Sequence, residues 1–224
     1  KKSDILSKNQ GSMVSSSVVT LKYASLAFVL VHFIISLISF IIYSGNLSLT
    51  EEFIKGFYYL NKQMNVTVCS ADTLLDLLMI TDHKFKNVDN KSARIKLYYY
   101  YLNQNAEFFY DINNNINSLS IFKEGKHPEI AELLRNNITF TGVVDDYTQE
   151  KFTKEIFLFE GLLEVMSSLF TLSISKSMYL DFKAKEVQYY LNNSLNSVLL
   201  ELETIIDKYI VIYEDIDTKT SQII

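Results

Sequence analysis

The chain has 224 residues, 48% hydrophobic and 21% charged, with a formal net charge of −5, Gly 6, Pro 1, Cys 1 and no Trp. That hydrophobic fraction excludes a disordered chain, a single Cys excludes an intrachain disulfide framework, and the acidic balance argues against a nucleic-acid partner. So few Gly and Pro leave little for the tight turns of a sandwich or barrel, and long helices are expected.

In chain order, residues 1–22 read as a cytosolic amino-terminal segment and residues 23–43, YASLAFVLVHFIISLISFIIY, as a transmembrane helix with no formally charged side chain. At ~1.5 Å per residue these 21 residues would cover roughly 31 Å, the thickness of a bilayer's hydrocarbon core. Lys1, Lys2, Lys8 and Lys22 precede the stretch against Asp4 alone, and Glu51 and Glu52 follow it. The positive-inside rule then places the amino end in the cytosol and the main domain outside or in a lumen. Tyr23 and Tyr43 suit interfacial anchors, and His32, near mid-span, should pack against another helix. The Lys-Lys opening without an initiator Met suggests a piece of a longer polypeptide.

Beyond the span, alternating three-and-four spacing marks candidate seams of packed helices. The first runs Ile54, Phe57, Asn61, Met64, Val68, Ala71, Leu75, Leu78, Asp82, Phe85. A second runs Ile95, Tyr98, Leu102, Asn105, Phe109, Ile112, Ile116, Leu119, and a third Phe152, Ile156, Phe159, Leu163, Met166, Phe170, Ser173. A fourth runs Leu180, Ala184, Val187, Leu191, Ser194, Val198, slips by one residue, and continues Leu202, Ile205, Tyr209, Ile212, Ile216. Helices over about 49–86, 91–120, 147–175 and 177–217 would build an all-α domain over 44–217. It would be an antiparallel four-helix bundle with longer first and last helices. Turns near Asn87–Asn90 and Ser175–Ser177 would form its distal tip, and residues 218–224 would approach a second span. Pro128 opens a short helix in the 121–147 connection. Asp145-Asp146 would cap the third long helix.

No phosphate-loop, dinucleotide or nucleophile-elbow motif occurs, so neither an enzyme nor a cofactor is expected. His83 and His127, with Asp82 or Asp145, lack metal-ligand spacing, and no metal site is expected. Cys69 reads as a small buried or boundary residue. Asn61, Asp82 and Asn105 would be buried polar groups that set register. Arg94 and Arg135, the only arginines, are candidate anion or partner contacts. Of the run Tyr98–Tyr101, Tyr98 would join Phe109 and Phe159 in the core, leaving Tyr99 and Tyr100 as candidate protein or glycan contacts. Sequons stand at Asn46, Asn65, Asn90, Asn137 and Asn192. Asn46 is too close to the bilayer, and the other four are glycosylation candidates.

A span, a four-helix bundle with longer outer helices and a return toward the bilayer resembles the sensor ectodomains of chemoreceptor-type proteins. The stretch VQYYLNNSLNSVLLELETI, with the Asn, Ile, Tyr and Lys bias, looks like protist multi-pass membrane proteins of the tiny macrocysts type. Both resemblances imply a receptor-like or interaction-mediating ectodomain. Its partners would be the bilayer and other membrane or extracellular proteins, a second copy of the chain among them. The alternative is an accessory structural subunit of a larger membrane complex, such as one in the mitochondrial inner membrane.

Overall fold

The computed structural model describes residues 2–82, 90–123, 127–175 and 180–221, with the backbone alone for 2–18 and 220–221. The expectations for the side chains of Lys1, Lys2, Asp4 and Lys8, for His83 and Phe85, for most of both tip turns and for residues 222–224 fall outside these. The protein is mostly helical, with one two-stranded sheet. It divides into two compact units, Lys1–Thr50 and Glu51–Ile224. The helix α1, Lys2–Thr81, contributes to both.

In the first unit every side chain from Val19 to Tyr43 is exposed, including Phe28, Phe33, Ile35 and Phe40. A wholly exposed apolar surface of this length is a candidate membrane span. His32 stacks on Phe28, one helical turn away, with ring centroids 6.2 Å apart.

The second unit is built from the end of α1, α2 (Lys91–Ser118), α3 (Pro128–Leu133), β1 (Asn137–Val143), β2 (Lys151–Phe157), α4 (Leu158–Ser175), α5 (Lys185–Asn192) and α6 (Leu199–Ser221). A 3-10 turn follows α2 at Ser120–Phe122, and a π turn, Asn193–Val198, joins α5 to α6. The short helix opened by Pro128 forms as expected. The third long helix does not start near residue 147: its first eleven expected residues are a turn and strand β2, and α4 begins at Leu158. The spacing of four between Phe152 and Ile156 suits a helical face, but four residues is also two strand repeats. Phe152, Lys154 and Ile156 face inward on β2 while Lys151, Thr153, Glu155 and Phe157 are exposed. The partner strand buries Ile138 and Phe140 on the same alternation.

Two seams lie one residue away from the expected ones. On α1 the buried stripe runs Phe53, Gly56, Leu60, Gln63, Thr67, Ser70, Leu74, Leu77 and Thr81, with Val66, Ala71 and Leu78 buried beside it, so Ala71 and Leu78 of the expected seam do enter the core. Ile54, Phe57 and Asp82 are exposed instead, and Asn61 is half-buried with its amide on the Phe57 carbonyl at 3.0 Å. A hydrophobicity count rejects this register because four of its positions are polar. Three of the four return a hydroxyl to their own helix: Thr67 to the Gln63 carbonyl at 2.8 Å, Ser70 to Val66 at 2.6 Å and Thr81 to Leu77 at 2.9 Å. On α4 the core positions are Leu158, Leu162, Val165, Leu169 and Leu172, so Phe159 is only half-buried and Phe170 is exposed. In α2, Tyr99 and Ala106 enter the core in place of Tyr98 and Asn105. Cys69 is exposed, not buried.

The fourth seam holds from Val187 to Tyr209, while Leu180, Ala184, Ile212 and Ile216 are half-buried and the helix begins at Lys185 and not near residue 177; its slip has a structural cause. Val187, Leu191, Ser194, Val198, Leu202, Ile205 and Tyr209 are all buried, and the extra residue falls where the π turn inserts one. At the far end of this seam the Tyr209 hydroxyl donates to the Phe53 carbonyl at 2.9 Å, and the ring is packed by Phe53 and Phe122. Only glycine fits at position 56, since a Cβ there would run into the Tyr209 hydroxyl.

Candidate functional site

The hairpin is fastened to the helices from three sides. Thr141 lies on the edge of β1 that faces away from β2, and Asn193 in the π turn reads it like a strand. Its Oδ1 accepts the Thr141 N–H at 2.8 Å, and its Nδ2 donates to the Thr141 carbonyl at 2.8 Å and to the Tyr189 carbonyl at 2.7 Å. One turn on, the Ser197 hydroxyl donates to the Thr139 carbonyl at 2.6 Å. Under the hairpin, Lys154 Nζ lies 2.5 Å from Glu164 Oε2, and the Tyr189 hydroxyl donates to the same oxygen. Burial is the largest influence on Glu164 and opposes its ionisation, but the bonds from Lys154 and Tyr189 together hold its pKa below the usual value. Burial first, then the bond to Glu164, push the Tyr189 phenol upward, so it stays a neutral donor. At the turn, Asp145 accepts the Tyr147 N–H at 2.8 Å, and Asp146 accepts the N–H of Lys185 at 2.6 Å. The acidic pair therefore does cap a helix through Asp146, but it is α5, not the helix that follows the pair in sequence.

A strip of exposed aromatic and aliphatic side chains lies along α2 and α4. The two helices run antiparallel, with the Ser173 hydroxyl on Asn103 Oδ1 at 3.3 Å, and two adjoining grooves open between them. One, of about 500 Å³, is lined by Lys96, Tyr99, Tyr100, Asn103 and Ile174. The other, of about 430 Å³, is lined by Glu107, Tyr110, Asp111, Met166 and Phe170. Tyr100, Tyr110, Phe170 and Ile174 are 58%, 52%, 48% and 56% exposed. No family model, curated protein or solved structure matches this chain.

Of the candidate contacts, Tyr100 belongs to this strip, whereas Tyr99, 4% exposed, forms its floor. Arg94 is exposed at the start of α2, where it lies beside Tyr98 with Asp76. Burial and the Asp76 carboxylate raise the Tyr98 phenol against the opposing pull of Arg94. Arg135 is exposed just past α3, and neither arginine lines the grooves described above. Asn65, Asn90, Asn137 and Asn192 are exposed and Asn46 is half-buried. His127 packs edge-on against Phe53 and stands 3.7 Å from Glu129. Among the described residues no group of three His, Cys, Asp or Glu converges as a metal site would. The three-and-four spacing places Phe170 on the inner face of α4, but the observed register, one residue earlier, turns it outward; Tyr110 and Ile174 carry no signal in that spacing.

A third concavity, of about 230 Å³, is almost wholly apolar and lies between α1 and α6, lined by Phe53, Ile54, Phe57, Tyr209, Ile210 and Tyr213.

Proposed function

We propose that the protein is a non-enzymatic membrane protein whose helical domain is receptor-like, engaging another membrane or extracellular protein along α2 and α4. The observation that carries this reading is the strip of exposed aromatic and aliphatic side chains at Tyr100, Tyr110, Phe170 and Ile174. Aromatics with an apolar body and a polar tip are favoured at protein contacts. The exposed apolar helix surface from Val19 to Tyr43 supports anchoring in a bilayer. Lys22 on one side and Glu51 and Glu52 on the other support a cytosolic amino end. On this reading the end of α1, α2, α4 and α5–α6 make an antiparallel four-helix bundle, and the exposed sequons carry glycan.

The test expresses the whole chain in eukaryotic cells, follows glycosidase-sensitive mass in wild type and in Asn65→Gln, Asn90→Gln, Asn137→Gln and Asn192→Gln, and identifies copurifying proteins with and without Tyr100→Ala and Phe170→Ala. Glycan on these positions and a partner lost on the double truncation are expected. Unmodified sequons with contacts insensitive to the strip would favour an accessory subunit of a larger complex. A water-soluble chain with no membrane association would overturn the reading.

A further inference from the structure

The two edges of the hairpin are treated differently. Register pairs Thr139 with Glu155 and Thr141 with Thr153, while Val144 N–H bonds the Glu150 carbonyl at 2.8 Å and Leu158 N–H the Asn136 carbonyl at 2.9 Å. Those two end bonds set the phase: even-numbered residues exchange hydrogen bonds across the hairpin, and odd-numbered ones turn their main-chain groups outward. On β1 the outward groups of Thr139 and Thr141 are covered by Ser197 and Asn193. On β2 the corresponding residues, Thr153 and Glu155, are exposed, and among the described residues nothing bonds their outward N–H and carbonyl groups. An open edge of this kind templates another strand unless Pro, a bulge, inward charge or exposed charge, Lys above all, blunts it. β2 has no Pro, its register is unbroken, its one inward charge, Lys154, is neutralised by Glu164, and its exposed charges, Lys151 and Glu155, are of opposite sign, so they repel a strand only where it sets like charges against them.

We infer that β2 is a self-association edge, pairing antiparallel with β2 of a second copy of this chain about a two-fold axis at Thr153. The side-chain order selects both the occupant and the register. Centring on Thr153 places Lys151 opposite Glu155 of the second copy and Glu155 opposite its Lys151, around a Thr–Thr pair. Opposite charges and paired threonines are both favourable cross-strand neighbours. Centring on Lys154 sets two lysines face to face, and centring on Glu155 sets two carboxylates face to face, so charge rejects both. The two-fold satisfies the outward groups of both edges at once, as an isologous contact must. It lies on the hairpin, apart from the α2 and α4 strip, and does not depend on the partner proposed for that strip.

The test is a charge swap at exposed positions. Full-length protein in detergent micelles is examined by sedimentation velocity over a concentration series, with circular dichroism confirming that each variant is folded. A reversible dimer is expected for wild type. Lys151→Glu and Glu155→Lys should each weaken it about tenfold, since each sets like charges opposite one another in two symmetric places, and the double swap should restore it. Wild type that stays monomeric across the series overturns the inference. So does a dimer indifferent to the single swaps, which would lie on another face, and so does a double swap that fails to recover, which would reject the register. Protection of the Thr153 and Glu155 amides only by a different protein would likewise overturn it in favour of a foreign strand.

Discussion

Asn193→Ala tests how the hairpin is held. The side chain is fully buried and makes three hydrogen bonds of 2.7 to 2.8 Å, two of them to the main chain of Thr141. At ~1 kcal/mol net per bond the truncation costs about 3 kcal/mol, with some relief because Thr141 is only half-buried and water can reach its freed groups. The cost should fall mainly on local opening of the hairpin, because α5 and α6 keep their own core contacts. A loss of ~3 kcal/mol corresponds to roughly 100-fold faster amide exchange in peptides covering 137–157, with α2 peptides unchanged. Hydrogen–deuterium exchange mass spectrometry on the full chain in detergent reads this directly. Asn193→Asp, which keeps the acceptor for the Thr141 N–H but sets a carboxylate oxygen against the Thr141 and Tyr189 carbonyls and buries a charge, should open the hairpin at least as far as Asn193→Ala. Hairpin exchange within about twofold of wild type in Asn193→Ala would refute the reasoning.

Other substitutions probe different features. Gln63 is fully buried and both polar atoms of its side-chain amide lack a partner, so Gln63→Met, which keeps the volume, should stabilise by ~1–3 kcal/mol and raise the thermal midpoint. A Cβ at Gly161 would lie 2.7 Å from Ile138 Cδ1 and 2.9 Å from Phe140 Cζ, so Gly161→Ala should cost ~1–3 kcal/mol in thermal denaturation. The Glu164 pKa is lowered on folding, so its contribution is present above the unfolded carboxylate pKa and is lost as pH falls through the lower folded value. The protection factors of the hairpin amides, taken against the intrinsic exchange rate at each pH, should therefore fall on acidification below about pH 4.5 in wild type, and Glu164→Gln should flatten that dependence.

The sequence carried the helical class, the exposed apolar stretch, the Pro128 helix and the middle of the fourth seam with its slip. There, from Val187 to Tyr209, every seam position but Ser194 is a large apolar or aromatic residue, and all are buried. It did not carry the α1 register, because Gln63, Thr67, Ser70 and Thr81 are polar and yet buried, and hydroxyls satisfied within their own helix leave no sequence signal. Aromatic richness compounded this. With Phe57, Tyr58, Phe159 and Phe170 on outer faces, counting apolar residues selects the wrong side. The hairpin is masked in the sequence because Phe152 and Ile156 fit two periods, although the alternation in NITFTGV is an independent strand signal. The surface strip followed from the register, so one phase error hid both the core and the candidate site.

The π turn has an evolutionary corollary. The inserted residue does not make the helical seam more regular, since with it the spacing runs four and four through Ser194, Val198 and Leu202, and without it the spacing would run three and three through Leu191, Ser194 and Val198. What it brings about is the placement of Asn193 and Ser197 against β1. The insertion and the hairpin should then be gained and lost together. A diverged copy of this gene without the segment corresponding to 137–157 should also lack one codon between those for Asn193 and Val198, while one that keeps the hairpin should retain it.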